Sequence, residues 1–447
     1  MQDNHTICAI ATPPGIGGVG IVRVSGPKAP EIAEAMLGAR PRPRMATFSK
    51  FLGASGETLD SGIALYFPAP YSFTGEHVLE LQGHGGPVVL NRLLQRALEL
   101  GARMARPGEF SERAFLNDKI DLVQAEAIAD LIESGTEEAA RAAQRSLEGR
   151  FSEQVNGLQK ALTVLRVFVE SAIDFPDEEI DFLAESDVTD RLDSAIAALE
   201  TLLENARQGR LLREGIVVAI TGRPNAGKSS LLNALAGSEV AIVTEVPGTT
   251  RDVLREQIQI EGIPLHIIDT AGIRETVDAI EVEGIRRARA ALESADIVLN
   301  VIDASCDRAG EPVCAEKQID VFNKLDLLDR VGREAIDTEN LRTDVPAVMI
   351  SATTGEGLDA LKAAVLEKVG AGGPQEGSFS ARQRHIDALK RVGAHLRDGR
   401  AQLVESQAGE LLAEELRLAQ QALGEITGEF TADDLLGQIF ASFCIGK

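Results

Sequence analysis

The sequence predicts a multidomain α/β protein, in which an N-terminal α+β domain precedes a helical domain that is interrupted by an inserted α/β domain. Three observations predict this. Short apolar runs separated by Gly and Pro fill residues 1–118. From Lys119 apolar residues recur at steps of three and four, the spacing of a buried helical stripe. Residues 215–371 alternate apolar strands with helical patterns, as a parallel sheet wrapped by helices does. The expected domains are 1–118, 119–214, 215–371 and 372–447, the last completing the helical domain. Insertion of this kind is tolerated where a domain's two ends lie close together.

In order along the chain, "TICAIA", "GIVRVS", "GIALYF" and "HVLELQ" read as strands, and "PVVLNRLLQRALEL" as a helix. Leu147, Phe151, Val155, Leu158, Leu162, Leu165, Val169 and Ile173 read as one helical stripe, ended before "DFPDEEIDF" by Pro176. A second helix covers about 188–208. "GIVVAI", "PLHIID", "DIVLNVID", "QIDVFN" and "AVMIS" are the strands of the α/β domain, and "VGAGGPQEGSF" is a helix-breaking linker. Helical periodicity returns at Ile386, Leu389, Val392 and Leu396, then at Leu411, Leu412 and Leu416.

Composition excludes several classes. The chain is 44% hydrophobic and 26% charged, which allows ordinary cores. A formal charge of −24 disfavours an extended nucleic-acid groove, so RNA contact would need a local patch or a basic partner. "ARPRPR" (Arg40, Arg42, Arg44) and "ARQRH" (Arg382, Arg384) are the candidate patches, with solvated surface charge the favoured reading of both. No membrane span and no secretory leader are expected. The four cysteines, Cys8, Cys306, Cys314 and Cys444, form no C-x-x-C pair, so a reducing cytoplasm is the expected compartment.

"GIVVAITGRPNAGKSSLLNALAG" carries the strongest chemistry. A strand runs into G-x-x-x-x-G-K-S (Gly222, Gly227, Lys228, Ser229) and a helix follows, the context that a phosphate loop requires. Asn225, Ala226 and Ser230 complete its lining. Lys228 would bridge the β- and γ-phosphates, Ser229 would hold Mg²⁺, and the helix N-terminus favours the anion. "DTAG" (Asp269, Thr270, Ala271, Gly272) follows a strand, where the Asp reaches Mg²⁺ through water. "TEVPGTTRD" supplies Thr244, Glu245, Val246, Pro247, Gly248, Thr249 and Thr250, with Thr250 as a second Mg²⁺ ligand. "NKLD" (Asn323, Lys324, Leu325, Asp326) offers Asp326 to the N1–H and N2 amine of guanine, donors that adenine lacks. "SAT" (Ser351, Ala352, Thr353) would support the base. Together, in order and each after a strand, these specify a Ras-like GTPase. The glutamine that orients the attacking water in Ras-type GTPases is replaced by Ile273, so hydrolysis must recruit other groups.

The phosphate-loop run, "PGTTRDVLRE", "HIIDTAGIRE", "ATPPGIGGVGIVRVSG", "YSFTGEHVLELQGHGGP", "RPGEFSERAFLNDKIDLVQAEAIADLI" and the ending "GEFTADDLLGQIFASFCIGK" closely resemble the MnmE (TrmE) family of tRNA-modification GTPases. The resemblance implies an N-terminal folate-binding domain that forms a homodimer, a helical domain and an inserted G domain. It implies a flavoprotein partner, MnmG, which alone carries FAD. Together the two would add aminomethyl or carboxymethylaminomethyl groups to carbon 5 of the tRNA wobble uridine. The one-carbon donor would be 5-formyltetrahydrofolate or methylenetetrahydrofolate.

It implies further that K⁺ beside the phosphates replaces an arginine finger, held by Asn225, Thr244, Val246 and Thr249 while the two G domains meet. Pro247 has no N–H and stiffens this loop. Glu281 aligns with the water-orienting glutamate, with Glu283 as the alternative, and Arg251 joins the catalytic candidates. Arg23, Glu80, Lys119 and Lys447 carry over as folate residues. "GIGGVG" formally matches a dinucleotide fingerprint, but a strand follows it, which excludes that fold.

The ending Cys444-Ile-Gly-Lys447 has prenylation spacing, but Gly446 and a final Lys make it a poor acceptor. "TADDLLGQIFASF" reads as a capped helix (Thr431 with Asp434) with an apolar stripe of Leu435, Leu436, Ile439, Phe440 and Phe443. Its docking would bring Cys444 and Lys447 to the folate pocket, Cys444 being either a catalytic participant or a packed thiol. The alternative function, a GTP-operated RNA or ribosome-assembly switch, would need an RNA-binding appendage that this acidic chain does not display.

Overall fold

The computed structural model describes residues 5–174, 186–238, 257–269, 292–306, 316–329, 333, 345–371, 377–406, 408–430, 433–441, 443 and 446. In chain order the described elements begin with β1 (Ile7–Ile10), β2 (Gly17–Ser25), α1 (Ala29–Leu37), β3 (Thr47–Leu52), β4 (Thr58–Phe67), β5 (Val78–Gly85) and α2 (Pro87–Glu99). Next come β6 (Arg103–Met104), α3 (Glu109–Leu116), α4 (Leu122–Glu133), α5 (Glu137–Leu147), α6 (Arg150–Asp174) and α7 (Ser186–Glu214). Then follow β7 (Ile216–Gly222), α8 (Lys228–Ser238), β8 (Gln257–Ile260), β9 (Ile263–Asp269), β10 (Ile297–Asp303), β11 (Gln318–Asn323) and β12 (Ala347–Met349). Helices α9 (Leu358–Lys368), α10 (Gln383–Ser406), α11 (Gly409–Thr427) and α12 (Asp433–Ala441) complete the series. The chain forms two compact units, each discontinuous in sequence: Met1–Ala129 with Val155–Pro176 and Ser406–Lys447, and Asp130–Gln154 with Asp177–Glu405.

The first unit is built on a sheet of order β3-β4-β5-β2-β1-β6, antiparallel except where β1 pairs with β6. Alternation sets its faces: Val22 and Val24 of β2 and Leu79 and Leu81 of β5 point inward. There they meet Ile32, Ala33 and Met36 of α1 and Leu90, Leu93, Leu94 and Ala97 of α2. The α2 residues recur at i, i+3, i+4 and i+7, one helical face. Cys8 lies in this core, and burial pushes its thiol up to about 12. Ile439, Phe440 and Phe443 of the C-terminal segment pack with Leu122 and Ala125 in a separate cluster, half-covered Leu435 and Leu436 flanking it. The proposed Thr431 cap lies outside the described residues.

A buried ion cluster sits beside these cores. Glu109, 1% exposed, accepts from both terminal nitrogens of Arg103, from the Arg106 backbone N–H and from Arg113. Arg113 reaches on to Glu76, which accepts from Ser25 Oγ. Packing charges this deeply requires such full pairing.

In the second unit the sheet order is β12-β11-β10-β7-β9-β8. Its strands are parallel as expected except β8, which pairs antiparallel with β9 through the turn Glu261–Gly262. Both turn residues have positive φ, 48° and 81°, the geometry of a tight two-residue hairpin. The core combines sheet residues with Leu231 and Leu235 of α8, Leu361 and Val365 of α9, and Leu211 and Leu212 of α7.

Two expectations need correction. Leu147 does not continue the stripe that Phe151 begins: Gly149, at φ 91°, breaks the chain between α5 and α6, and the stripe belongs to α6 alone. Arg382 is not solvated surface charge. Its guanidinium reaches Asp130 at 2.7 Å, beside Arg213, also at 2.7 Å, and Ser380 Oγ at 2.6 Å. Asp130 is 7% exposed, so three donors compensate its burial.

Candidate functional site: a phosphate loop and a base-recognition edge

Every described nucleotide-site residue lies at the carboxyl edge of the second sheet, where open α/β sheets bind ligands. Strand β7 is central, flanked by β10 and β9. Its residue Ile220 is in register with Asp269, the last residue of β9, and Gly222 is in register with Val301 of β10. The phosphate loop thus leaves the sheet beside the start of the DTAG segment. Thr270, Ala271 and Gly272 lie outside the described residues.

The loop is shaped by its backbone. Asn225, exposed, has φ 63°, and Gly227 has φ 95°. A Cβ at Gly227 would stand 2.2 Å from Asn323 Nδ2, so only glycine permits the approach. Lys228 Nζ donates to the carbonyls of Gly222 and Arg223 at 3.0 and 2.9 Å, which puts its ammonium across the loop mouth. Ser229 and Ser230, in the first turn of α8, are exposed. A helix N-terminus, a cation and free hydroxyls together suit a polyphosphate.

The candidate base side is built by the NKLD and SAT segments. Asn323 is a tie: its Nδ2 donates to Ala226 O and its Oδ1 accepts from the Ala352 N–H, each at 3.0 Å. It thereby joins the phosphate loop to the SAT segment. Ser351 Oγ donates to Asp326 Oδ1 at 2.6 Å, and Thr354 N–H donates back to Ser351 Oγ at 3.2 Å. Arg333 clamps the two loops from outside, donating to both Glu356 oxygens and to Leu325 O. Lys324 pairs with Asp303, the last residue of β10. Thr353 lies in the same turn as Ser351 and Ala352. Reading the motifs singly missed Arg333, Glu356 and Asp303. For Asp303 a signal existed, an acid ending a central strand at the ligand edge.

Thr244, Glu245, Val246, Pro247, Gly248, Thr249, Thr250, Arg251, Glu281 and Glu283 lie outside the described residues. So do Cys444 and Lys447.

In the first unit, Arg23 and Glu80 face each other in register across β2 and β5, Nε to Oε1 at 2.9 Å. The Arg23 guanidinium lies 5.6 Å from the Phe110 ring centre and donates to Gly446 O at 3.2 Å. These two candidates are therefore brought together, with the chain's tail against them. Lys119 is exposed just beyond α3, its stem beside Gly75.

Two family models together match nearly the whole chain. The family model for the GTP-binding protein TrmE N-terminus matches residues 6–119, and that for the MnmE helical domain matches 122–444. A Methylococcus capsulatus protein named tRNA modification GTPase MnmE is 57% identical over 450 residues, covering 100% of this chain and 99% of its own. Among solved structures, the G domain of the T. maritima FeoB iron transporter is 26% identical, over 34% of this chain and 98% of that one, with a TM-score of 0.23. An Era variant from Aquifex aeolicus bound to GDP and aluminium fluoride is 28% identical, over 40% of this chain and 66% of that one, with a TM-score of 0.26. The chain belongs to the MnmE (TrmE) family of tRNA-modification GTPases.

Proposed function

We propose that this protein hydrolyses GTP to drive modification of the tRNA wobble uridine at carbon 5. It acts with the flavoprotein MnmG, which carries the FAD, and takes its carbon from 5-formyl- or methylenetetrahydrofolate. The observation that carries the reading is the oriented Asp326–Ser351 pair facing the same sheet edge as the phosphate loop. An acceptor pair aimed by a hydroxyl selects the N1–H and N2 amine of guanine. The domains run 1–118, 119–214, 215–371 and 372–447, the first binding folate and forming the homodimer in the cytoplasm. No described helix is long and apolar enough to cross a membrane.

In the hydrolytic step, Lys228 moves from its loop carbonyls to the β- and γ-phosphate oxygens, and the loop N–H groups hold the β-phosphate. Ser229 and Thr250 would hold Mg²⁺; Asn225, Thr244, Val246 and Thr249 would hold K⁺. The described members fit, since Ser229 and Asn225 are both exposed at the loop mouth. Bound there, the cations supply positive charge against the developing negative charge of the phosphates. Glu281 orients the water, and Arg251, which follows Thr250 in the loop sequence, joins the catalytic groups. In the folate pocket, Arg23 and Lys119 pair with carboxylates and Glu80 accepts from the pterin. Lys447 and Cys444, on the tail, would complete that pocket.

Nucleoside analysis of tRNA from cells lacking the protein tests the reading. Loss of the wobble-uridine modification supports it, and intact modification overturns it. Turnover of GTP in K⁺ well above that in Na⁺ supports the cation assignment, and equal rates remove it.

A further inference from the structure

Lys324 stands between Asn323 and Asp326 in a left-handed backbone conformation, φ 70° and ψ 36°. Its ammonium meets Asp303 Oδ2 at 2.5 Å, and the two side chains are only 29% and 15% exposed. Asp303 closes β10 in register with Asn323 of β11. Its other oxygen, Oδ1, accepts from the Ser305 N–H at 3.0 Å and from the Ser305 hydroxyl at 2.6 Å. The carboxylate is thus aimed by Ser305 on one side and committed to Lys324 on the other. Lys324 lies two positions before Asp326, whose carboxylate is the base acceptor. An ammonium released there would have a second carboxylate two positions along the chain.

We infer that Asp303 is a positioning residue for base recognition: it holds the Lys324 ammonium, which pins the NKLD turn and keeps Asp326 open to guanine. The inference rests on the guanine reading above. Burial acts to raise the Asp303 pKa, but hydrogen bonds from Lys324 and Ser305 bring it down to about 2, so its carboxylate is charged at neutral pH. Base contacts are equal in substrate and transition state. Their loss therefore raises KM and leaves kcat unchanged.

The test uses the full chain, titrated with a fluorescent methylanthraniloyl-GDP and assayed for GTP turnover. Asp303→Asn removes the charge at constant shape. It should weaken nucleotide binding about tenfold through faster release, the scale of one charge-assisted hydrogen bond. KM for GTP should rise alike. In a Lys324→Met background the same change should have no further effect. Unchanged affinity, equal losses in both backgrounds, or a fall in kcat at constant KM would each overturn the inference. A wild-type chain that ignores the fluorescent GDP would overturn the guanine reading itself, a different result from a variant that merely matches wild type. If Asp303→Asn does not fold, Ser305→Ala should still cost about threefold in affinity by freeing Oδ1, and no change would count against the role.

Discussion

Ser351 Oγ donates to Asp326 Oδ1 at 2.6 Å, and this bond, between loops 25 residues apart, fixes the direction of the carboxylate. Asp326→Asn replaces an acceptor with a donor against the guanine amine. Affinity for GDP should fall by about two orders of magnitude, on the scale of 2–3 kcal/mol for lost charge-assisted bonds. Affinity for the xanthine analogue, which carries a carbonyl there, should rise. Titration with both nucleotides checks this, and unchanged GDP binding would contradict the base assignment.

Glu109 predicts an acid-dependent stability. Burial pushes its carboxyl up, but the Arg103 guanidinium, the Arg106 N–H and Arg113 outweigh burial and hold it below its ordinary 4.5. A depressed folded-state value means the stabilisation is complete above about pH 4.5 and is lost as pH falls through the folded value. Glu109→Gln should therefore cost about 3 kcal/mol at neutral pH, the scale for breaking a buried pair. The gap between variant and wild type should close in acid. Denaturant unfolding at several pH values measures it, and a gap independent of pH would refute the account.

Thr136 carries two bonds on one hydroxyl. It accepts from the Ala139 N–H at 3.1 Å, capping α5, and donates to Gly262 O at 2.8 Å in the hairpin turn. Thr136→Val keeps the shape and strands both partners, so a loss of about 1–2 kcal/mol is expected. Thr136→Ser should restore most of it. Hydrogen exchange of the β8–β9 hairpin should quicken in Thr136→Val alone; equal exchange would remove the hairpin from the explanation.

Gly108 sits at φ 66° before α3, and a Cβ there would stand 2.5 Å from Phe440 O. Gly108→Ala adds left-handed strain and pushes α12 off its seat. GTP turnover should stay within about twofold of wild type, an effect of the size expected away from functional contacts. Proteolysis of the C-terminal segment should quicken, and tRNA modification should fall. Intact modification with a loosened tail would separate the tail from the chemistry.

The site motifs were legible because each is a short run whose residues are fixed to one another by the backbone. Gly222 to Ser229, Asn323 to Asp326 and Ser351 to Thr353 appear in the structure at the ends of the expected strands. The buried stripes of α2 and α6 were legible for the same reason, since helical spacing is a local relation. Strands β3 and β6 escaped because one alternates with exposed Phe48 and Lys50 and the other has two residues. Strand β8, Gln-Ile-Gln-Ile, alternates as a strand should yet was not among the expected strands, and its antiparallel direction leaves no mark on periodicity.

Long-range pairing had no local trace at all. Asn323 reads as a base ligand in its motif, yet it ties Ala226 to Ala352, 97 residues back and 29 ahead. Arg23 and Glu80 read as separate ligand residues, yet strand register makes them partners. Arg382 reads as surface charge until Asp130, 252 residues away, is seen beneath it. Sequence order governs which residues share a turn or a helical face, because covalent geometry acts over a few residues. Which carboxylate meets which guanidinium, and which hydroxyl aims which acid, follows from sheet register and packing, where the low-dielectric interior makes an unpaired charge too costly to leave.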